Sequence, residues 1–151
     1  MDTQQVRCGV KGVFVAISDA VTVPVVVLTD GNGRLLPIFV GLWEAVSINS
    51  AQNKEVPPRP FTHDLFLDLM ERFSISLHHL QIDSVENGVY YAQLFFASDG
   101  HEECLDCRPS DGIAVALRAG APVYVDEGLL ATAEPGGSIP DMVDLSTFLQ
   151  K

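Results

Sequence analysis

Residues 106–118 read Asp-Cys-Arg-Pro-Ser-Asp-Gly-Ile-Ala-Val-Ala-Leu-Arg and contain, in order, the end of a strand and the start of an apolar helix. Proline suits the first turn of a helix because an N–H group at that position would have no partner in the helix. We expect Ser110 to be the N-cap of this helix and Gly120 to end it. The stretch therefore predicts a helix that follows directly after a strand.

A second segment, Arg59-Pro60-Phe61-Thr62-His63-Asp64, has the same arrangement. In both segments an arginine and a proline precede a hydroxyl residue, and a carboxylate lies in the first helical turn. Thr62 is the expected N-cap. The helix that it starts has apolar residues at helical spacing: Leu65, Phe66, Leu69, Met70 and Phe73.

The rest of the chain reads mainly as strands separated by turn sequences. Strands are predicted within residues 6–29 (two, broken at 18–20), 35–40, 75–107 (three) and 121–125. Helices are predicted from Leu42 to about Asn53 and from Glu127 to Ala133. This order indicates an α+β fold, a single compact domain with a mixed, largely antiparallel sheet and several helices. Pro135-Gly136-Gly137-Ser138 is expected to separate a domain at 1–135 from a weakly held C-terminal tail at 136–151.

The composition is that of a folded protein. Of the 151 residues, 47% are hydrophobic, and the mean hydropathy is slightly positive. No apolar run approaches the roughly 20 residues that a membrane helix needs, so we expect no membrane partner. The polar start, Met1 to Gln5, lacks the basic and apolar segments of a signal peptide, which predicts a cytoplasmic location.

The three cysteines predict free thiols and no structural zinc. An odd, small number of cysteines without an export signal argues against disulfides. Cys104 and Cys107 have the CxxC spacing, but they fall in a predicted strand, where positions three apart point to opposite faces. No second pair exists to complete a zinc site.

The net charge of −11 limits how the protein can bind nucleic acid. A protein that grips nucleic acid through its overall field is normally basic, and this one would repel a polyanion at long range. Binding therefore requires local positive charge from arginines or from a divalent cation.

Both Arg-Pro segments are candidate phosphate sites. A helix N-terminus has unpaired N–H groups and a partial positive charge, and an arginine beside it adds a rigid bidentate donor. The candidate substrate-binding residues are Arg59, Thr62, Arg108, Ser110 and Arg118. The alternative is that these residues only cap their helices.

Carboxylates and one histidine are the catalytic candidates. Asp64 and Asp111, with Glu44 from the preceding helix, are expected to hold Mg²⁺ or Mn²⁺. His63 is the acid–base candidate, and with Asp64 and Asp111 it completes the catalytic set. The alternative for each carboxylate is a favourable interaction with the helix dipole, and for His63 a packing or capping role.

Three blocks of this sequence resemble a known family. They are residues 37–45 (Pro-Ile-Phe-Val-Gly-Leu-Trp-Glu-Ala), 59–65, and 106–118 together with 121–125. In order and spacing they are similar to the bifunctional nuclease domain, also called the DNase-RNase domain, over roughly residues 6–133. The resemblance implies a compact α+β domain, often dimeric, with DNase and RNase activity in some members. At one position, Gly112, this chain departs from the alanine of the family pattern.

Together these observations predict a metal-assisted phosphodiesterase. It would act on DNA and RNA without strong sequence preference, and the resemblance implies a homodimer. The alternative is a non-enzymatic dimeric domain that binds a small anionic ligand or a protein partner, because the same anion-binding helix starts would serve both functions.

Overall fold

A computed structural model of the chain describes residues 4–132 and 141–150. In these residues the strands are β1 (Gln5–Ser18), β2 (Val21–Thr29), β3 (Leu35–Phe39), β4 (Ser76–Glu86), β5 (Val89–Ser98), β6 (His101–Cys107), β7 (Val123–Asp126) and β8 (Met142–Asp144). The helices are α1 (Leu42–Gln52), α2 (Thr62–Arg72), α3 (Pro109–Ala119), α4 (Glu127–Ala131) and α5 (Leu145–Leu149). No helix in the described ranges is both long enough and apolar enough to cross a membrane.

The strands form one mixed sheet in the order β3-β2-β1-β7-β4-β5-β6, with β8 pairing separately with β1. The pair formed by β4 and β7 is parallel, and the other described pairs are antiparallel. The predicted α+β fold with a largely antiparallel mixed sheet is therefore confirmed.

Helix α3 lies at the centre of the helical layer. It contacts α1 and α2 on its sides and β4 and β5 of the sheet beneath it. Its residues Ile113, Ala114 and Ala116 are fully buried, as are Leu80 and Ile82 of β4. Burial of this apolar surface is the main term that holds the layers together, and it brings the starts of three helices to one end of the layer.

Helices α2 and α3 begin earlier than predicted from Thr62 and Ser110 as their N-caps, by one and two residues respectively. Phe61 is the N-cap of α2 and Arg108 is the N-cap of α3, so Thr62 and Ser110 lie inside the first turns, and their assignment as N-caps was wrong. In α2 the carboxylate of Asp64 accepts the backbone N–H of Phe61 at 2.8 Å, which satisfies the end of the helix without Thr62. Gly120 ends α3 in the left-handed conformation, at φ 68°, as predicted.

The apolar stripe predicted for α2 is only partly used in the core. Met70 is buried and Phe66 packs against the core, whereas Leu65, Leu69 and Phe73 are exposed. These exposed residues are spaced four apart, so they lie along one outer face of the helix.

The segment expected to be a weakly held tail contributes to the sheet and to the core. β8 pairs with β1, the side chain of Leu145 is fully buried, and Asn49 of α1 donates a hydrogen bond to the Ser146 hydroxyl at 2.9 Å. The predicted break at 135–138 lies outside the described residues. Residues 141–150 thus contact β1 and α1.

All three cysteines are free thiols, as predicted. Cys8 is buried, and burial raises the pKa of its thiol to about 11. Burial likewise raises the pKa of Cys107 to about 12, with neighbouring aspartates acting in the same direction. Both side chains therefore remain protonated at neutral pH and behave as small apolar groups.

Candidate active site at three helix starts

The starts of α1, α2 and α3 border one cleft of about 280 Å³, named here the active-site cleft. Its lining residues come from all three helices and their N-caps: Trp43, Glu44, Ser47, Phe61, Thr62, His63, Arg108 and Asp111. The N-terminal ends of α2 and α3 both meet this cleft, and each carries a partial positive charge. The helix starts that follow the two Arg-Pro segments therefore border one cleft.

His63 is held at both of its ring nitrogens. Its Nε2 lies 2.8 Å from Oδ1 of Asp111, and its Nδ1 lies 2.7 Å from Oγ of Ser47. An ionised carboxylate only accepts hydrogen bonds, so Nε2 carries a proton and its N–H group donates a hydrogen bond to Asp111. When the imidazole is neutral, Nδ1 then accepts the Ser47 hydroxyl, which fixes one tautomer and one ring orientation.

Asp111 is ionised and faces the cleft beside Arg108. The Nε of Arg108 donates to Oδ2 of Asp111 at 2.8 Å, and its Nη2 donates to Oε1 of Glu44 at 3.1 Å. Burial acts to raise the pKa of Asp111, but the hydrogen bonds from Arg108 and His63 outweigh it and lower the pKa below its ordinary value. The side chain of Arg108 is 66% exposed, so the guanidinium remains accessible to an anion.

Asp64 and Arg118, two further predicted site residues, form an ion pair and do not line the cleft. The Nε of Arg118 donates to Oδ1 of Asp64 at 2.7 Å, while its Nη1 and Nη2 donate to the carbonyls of Ala114 and Ser47 at 2.9 and 3.2 Å. The side chain of Arg118 is only 9% exposed, and its guanidinium lies 5.8 Å from the centre of the Phe61 ring. Because its nitrogens are used in this way, Arg118 joins α1, α2 and α3 rather than presenting charge to a ligand.

The three predicted metal ligands do not converge. Glu44 and Asp111 both accept hydrogen bonds from Arg108, which lies between them, and Asp64 is turned toward Arg118. Within the described ranges no group of three acidic, histidine or cysteine side chains is placed to hold a metal ion. In this arrangement the three carboxylates serve as hydrogen-bond partners of two arginines.

The remaining predicted binding residues lie in different places. Thr62 is exposed on the rim of the active-site cleft. Arg59 is exposed in the loop before α2 and is not among the lining residues of this cleft. Ser110 is buried and lines a neighbouring cleft together with Arg108.

Two residues of the site were missed by the sequence reasoning. Ser47 is buried and holds His63, and Trp43 is highly exposed at the mouth of the cleft. One signal was available, because Ser47 follows Glu44 by three positions on α1 and residues so spaced share a helix face. The hydrogen bond between Ser47 and His63 could not be predicted from the sequence, because it joins two different helices.

Comparison with known proteins finds a family that matches most of this chain. The model of the bifunctional nuclease domain matches residues 26–135. An uncharacterized protein of Mycobacterium tuberculosis (strain H37Rv) is 40% identical over 136 residues, which cover 89% of this chain and 80% of that protein.

Plant proteins match over a shorter part of their length. Bifunctional nuclease 1 of Arabidopsis thaliana is 31% identical over 111 residues, covering 70% of this chain and 34% of the plant protein. Bifunctional nuclease 1 of Oryza sativa subsp. japonica is 30% identical over 102 residues, covering 66% and 31%. The match thus covers about a third of each plant protein. The family model matches more than half of the present chain. The chain therefore belongs to the bifunctional nuclease domain family.

Proposed function

We propose that this protein is a nuclease of low sequence specificity that hydrolyses phosphodiester bonds in DNA and RNA. Membership of the bifunctional nuclease domain family supports this proposal, as do the names of the plant relatives. The structural observation that carries it is the position of the exposed Arg108 guanidinium beside the hydrogen-bonded pair of His63 and Asp111. The proposed anion-binding group and the proposed catalytic pair therefore line one cleft.

Arg108 is the proposed phosphate ligand. It is exposed, it lies at the N-cap of α3, and the partial positive charge of that helix end acts in the same direction. The net charge of −11 repels a polyanion at long range, so the attraction to phosphate has to come from the immediate surroundings of Arg108. Arg118 is excluded from this role because its side chain is buried and bonded to the protein.

Asp111 and His63 are the proposed catalytic pair. Asp111 is ionised and partly exposed, so it can accept a hydrogen bond from an attacking water molecule. In the proposed step Asp111 takes the proton of the attacking water while the bond from phosphorus to the leaving oxygen breaks, and solvent water protonates that oxygen. His63 holds the carboxylate through Nε2, and Ser47 keeps the imidazole in its orientation. Asp64 acts on the same pair indirectly, because it anchors Arg118 beside Ser47.

Assistance by Mg²⁺ or Mn²⁺ is a separate part of the proposal. It rests on the negative charge that builds up in phosphodiester cleavage, and not on a site formed by the protein alone. Mg²⁺ is commonly bound by one or two carboxylates together with substrate phosphates. Glu44 and Asp111 are the carboxylates nearest to the proposed phosphate position at Arg108.

Cleavage of plasmid DNA and single-stranded RNA by highly purified protein tests the proposal. We expect the wild type to cleave both and Arg108→Gln to lose at least about tenfold in rate, or roughly 1.4 kcal/mol of transition-state stabilisation. Arg72→Gln is the matched control, because it removes the same charge from an exposed arginine at the end of α2. If the wild type cleaves neither substrate with any divalent ion, the nuclease proposal fails and a non-enzymatic binding domain is favoured.

We further propose that the protein is a homodimer. The exposed apolar face of α2, formed by Leu65, Leu69 and Phe73, lies near the exposed Leu105 of β6, and Leu69 and Leu105 border the same apolar groove. β6 is an edge strand whose outer hydrogen-bonding groups are open to pairing with another chain. Light scattering at tens of micromolar tests this, and a monomer mass would contradict it.

A further inference from the structure

A second cleft, of about 390 Å³, lies on the other side of Arg108 and has no role in the proposed chemistry. We name it the Phe39 cleft, and the residues that matter here are Phe39, Val89, Tyr90, Arg108, Pro109 and Ser110. Arg108 borders both this cleft and the active-site cleft. A phosphate held by Arg108 would therefore have the Phe39 cleft immediately beside it.

The walls of the Phe39 cleft suit a flat, largely apolar group. Phe39 ends the edge strand β3 and is 58% exposed, and Val89 at the start of β5 is also exposed. Tyr90 is half-buried between the cleft and the core, and burial raises the pKa of its hydroxyl, which therefore stays protonated and can donate a hydrogen bond. The volume falls within the range of about 300–1,000 Å³ that is usual for small-ligand sites.

Ser110 places a hydroxyl group in the wall of this cleft. The residue is 7% exposed and lines the cleft together with Arg108 and Tyr90. A serine hydroxyl can both donate and accept hydrogen bonds, so it can bond to a polar group inside the cleft. A flat aromatic ligand with polar edge atoms would pack against the apolar wall and form a hydrogen bond with the Ser110 hydroxyl.

We propose that the Phe39 cleft binds the nucleobase of the nucleotide whose phosphate contacts Arg108, and that single-stranded nucleic acid is therefore preferred over duplex as the substrate. This inference rests on the proposed function. A base inside a duplex is stacked and paired, and taking it out costs a few kcal/mol. Unpaired bases stack on exposed aromatic rings with little dependence on sequence, in keeping with low sequence specificity.

Calorimetric titration with two probes tests this base site. Adenosine 5′-monophosphate and ribose 5-phosphate share the sugar and the phosphate and differ only in the base. We expect the wild type to bind the nucleotide about tenfold or more tightly than the sugar phosphate, from base–aromatic stacking. Phe39→Ala should remove most of this difference, and Ser110→Ala should reduce it.

The matched control is Tyr91→Ala. Tyr91 is an exposed aromatic residue beside Tyr90, and successive residues of a strand point to opposite faces of the sheet. This variant should keep the full preference for the nucleotide. A preference that is absent in the wild type, or that survives Phe39→Ala, would overturn the base site.

The outcomes also separate this inference from the proposed function. If the wild type binds ribose 5-phosphate and Arg108→Gln does not, but the base adds nothing, the phosphate site stands and the base site fails. If the wild type binds neither probe, both fail. As a second measurement, a single-stranded oligonucleotide should bind at least several-fold more tightly than the same sequence in a duplex, and equal binding would contradict the substrate class.

Discussion

The Nε2 atom of His63 lies 2.8 Å from Oδ1 of Asp111, although the two residues are 48 positions apart in the chain. This hydrogen bond joins the first turns of α2 and α3. It also links the two similar Arg-Pro segments, because each helix start supplies one member of the pair. Substitutions at either segment are therefore expected to affect the same step.

Asp111→Asn is expected to lower the rate of nucleic-acid cleavage by at least about tenfold, or roughly 1.4 kcal/mol. The substitution keeps the shape of the side chain but removes the charge that faces Arg108 and His63. Stability should fall by less than about 1.5 kcal/mol, because partly exposed ion pairs and first-turn dipole contacts contribute little. Cleavage of plasmid DNA and single-stranded RNA, with thermal unfolding measured in parallel, checks both expectations.

Asp68→Asn is the control for this experiment, since it removes the same charge from an exposed position on α2 whose partner is Arg72. Its activity should match the wild type. A fully active Asp111→Asn protein would remove Asp111 from the mechanism.

Arg118→Met is expected to lower the free energy of unfolding by about 2–3 kcal/mol. It leaves Asp64 without its arginine and leaves the carbonyls of Ala114 and Ser47 without this donor. Breaking a fully buried ion pair costs about 3–5 kcal/mol, and the partial exposure of Asp64 reduces that figure. Arg72→Met, which breaks an exposed pair with Asp68, should cost less than about 1 kcal/mol in the same denaturant titration.

The same pair should make stability depend on pH in the acid range. Burial acts to raise the pKa of Asp64, but hydrogen bonds from Arg118 and the Phe61 amide outweigh it and lower the pKa below 3.8. A carboxyl group whose pKa falls on folding stabilises fully above its unfolded pKa, and this contribution is lost as the pH falls through the folded pKa. The stability difference between wild type and Asp64→Asn should hold above about pH 5 and shrink below about pH 4. A stability difference of the same size at pH 2 and at pH 7 would contradict the pair's role.

The fold was largely predictable from local patterns, whereas the pairing inside the site was not. The turns at Asn87-Gly88 and Asp99-Gly100 have positive φ at both residues, as their composition predicts. The assignment of Ser110 as an N-cap failed because hydroxyl residues also occur inside first turns, and Pro109 and Arg108 occupy the positions before it. Proline had marked the start of the helix correctly.

The roles of the charged residues depended on tertiary packing. The sequence shows that Arg108 and Arg118 flank one helix, but not that the first is exposed and the second is buried against α1 and α2. Ser47 shows the same limit, because a serine in a helix has no sequence signature for holding a histidine of another helix. Which arginine can reach a substrate is decided by the contact of α3 with its two neighbours.

Gly112→Ala tests how tightly the first turn of α3 packs on the sheet. Alanine favours a helix over glycine by up to about 1 kcal/mol. A Cβ at Gly112 would, however, lie 2.5 Å from Cδ1 of Leu80 and 3.1 Å from Sγ of Cys107, and Leu80 is fully buried. Overpacking of this kind costs about 1–3 kcal/mol, so we expect a net loss of about 1 kcal/mol in the free energy of unfolding.

The Leu80→Val background separates the two effects of Gly112→Ala. Valine lacks the Cδ atoms that the new Cβ would meet, so in this background the substitution should be neutral or stabilising by up to about 1 kcal/mol. A change of sign between the two backgrounds is the expected result. Stabilisation by Gly112→Ala in the wild type would show that the core relaxes freely around this helix.

Removal of divalent metal with EDTA is expected to abolish cleavage, and addition of Mg²⁺ or Mn²⁺ should restore it. The physical reason is charge: the transition state gains negative charge, and a protein of net charge −11 offers only local compensation at Arg108. The described residues hold no three-ligand group, so the free protein should bind Mn²⁺ weakly, and binding should strengthen when a nucleotide supplies phosphate oxygens. Trp43, the single tryptophan, lines the active-site cleft and gives a fluorescence signal for both titrations. Cleavage that is unaffected by EDTA would rule out metal assistance, and tight Mn²⁺ binding without nucleotide would contradict recruitment of the ion with the substrate.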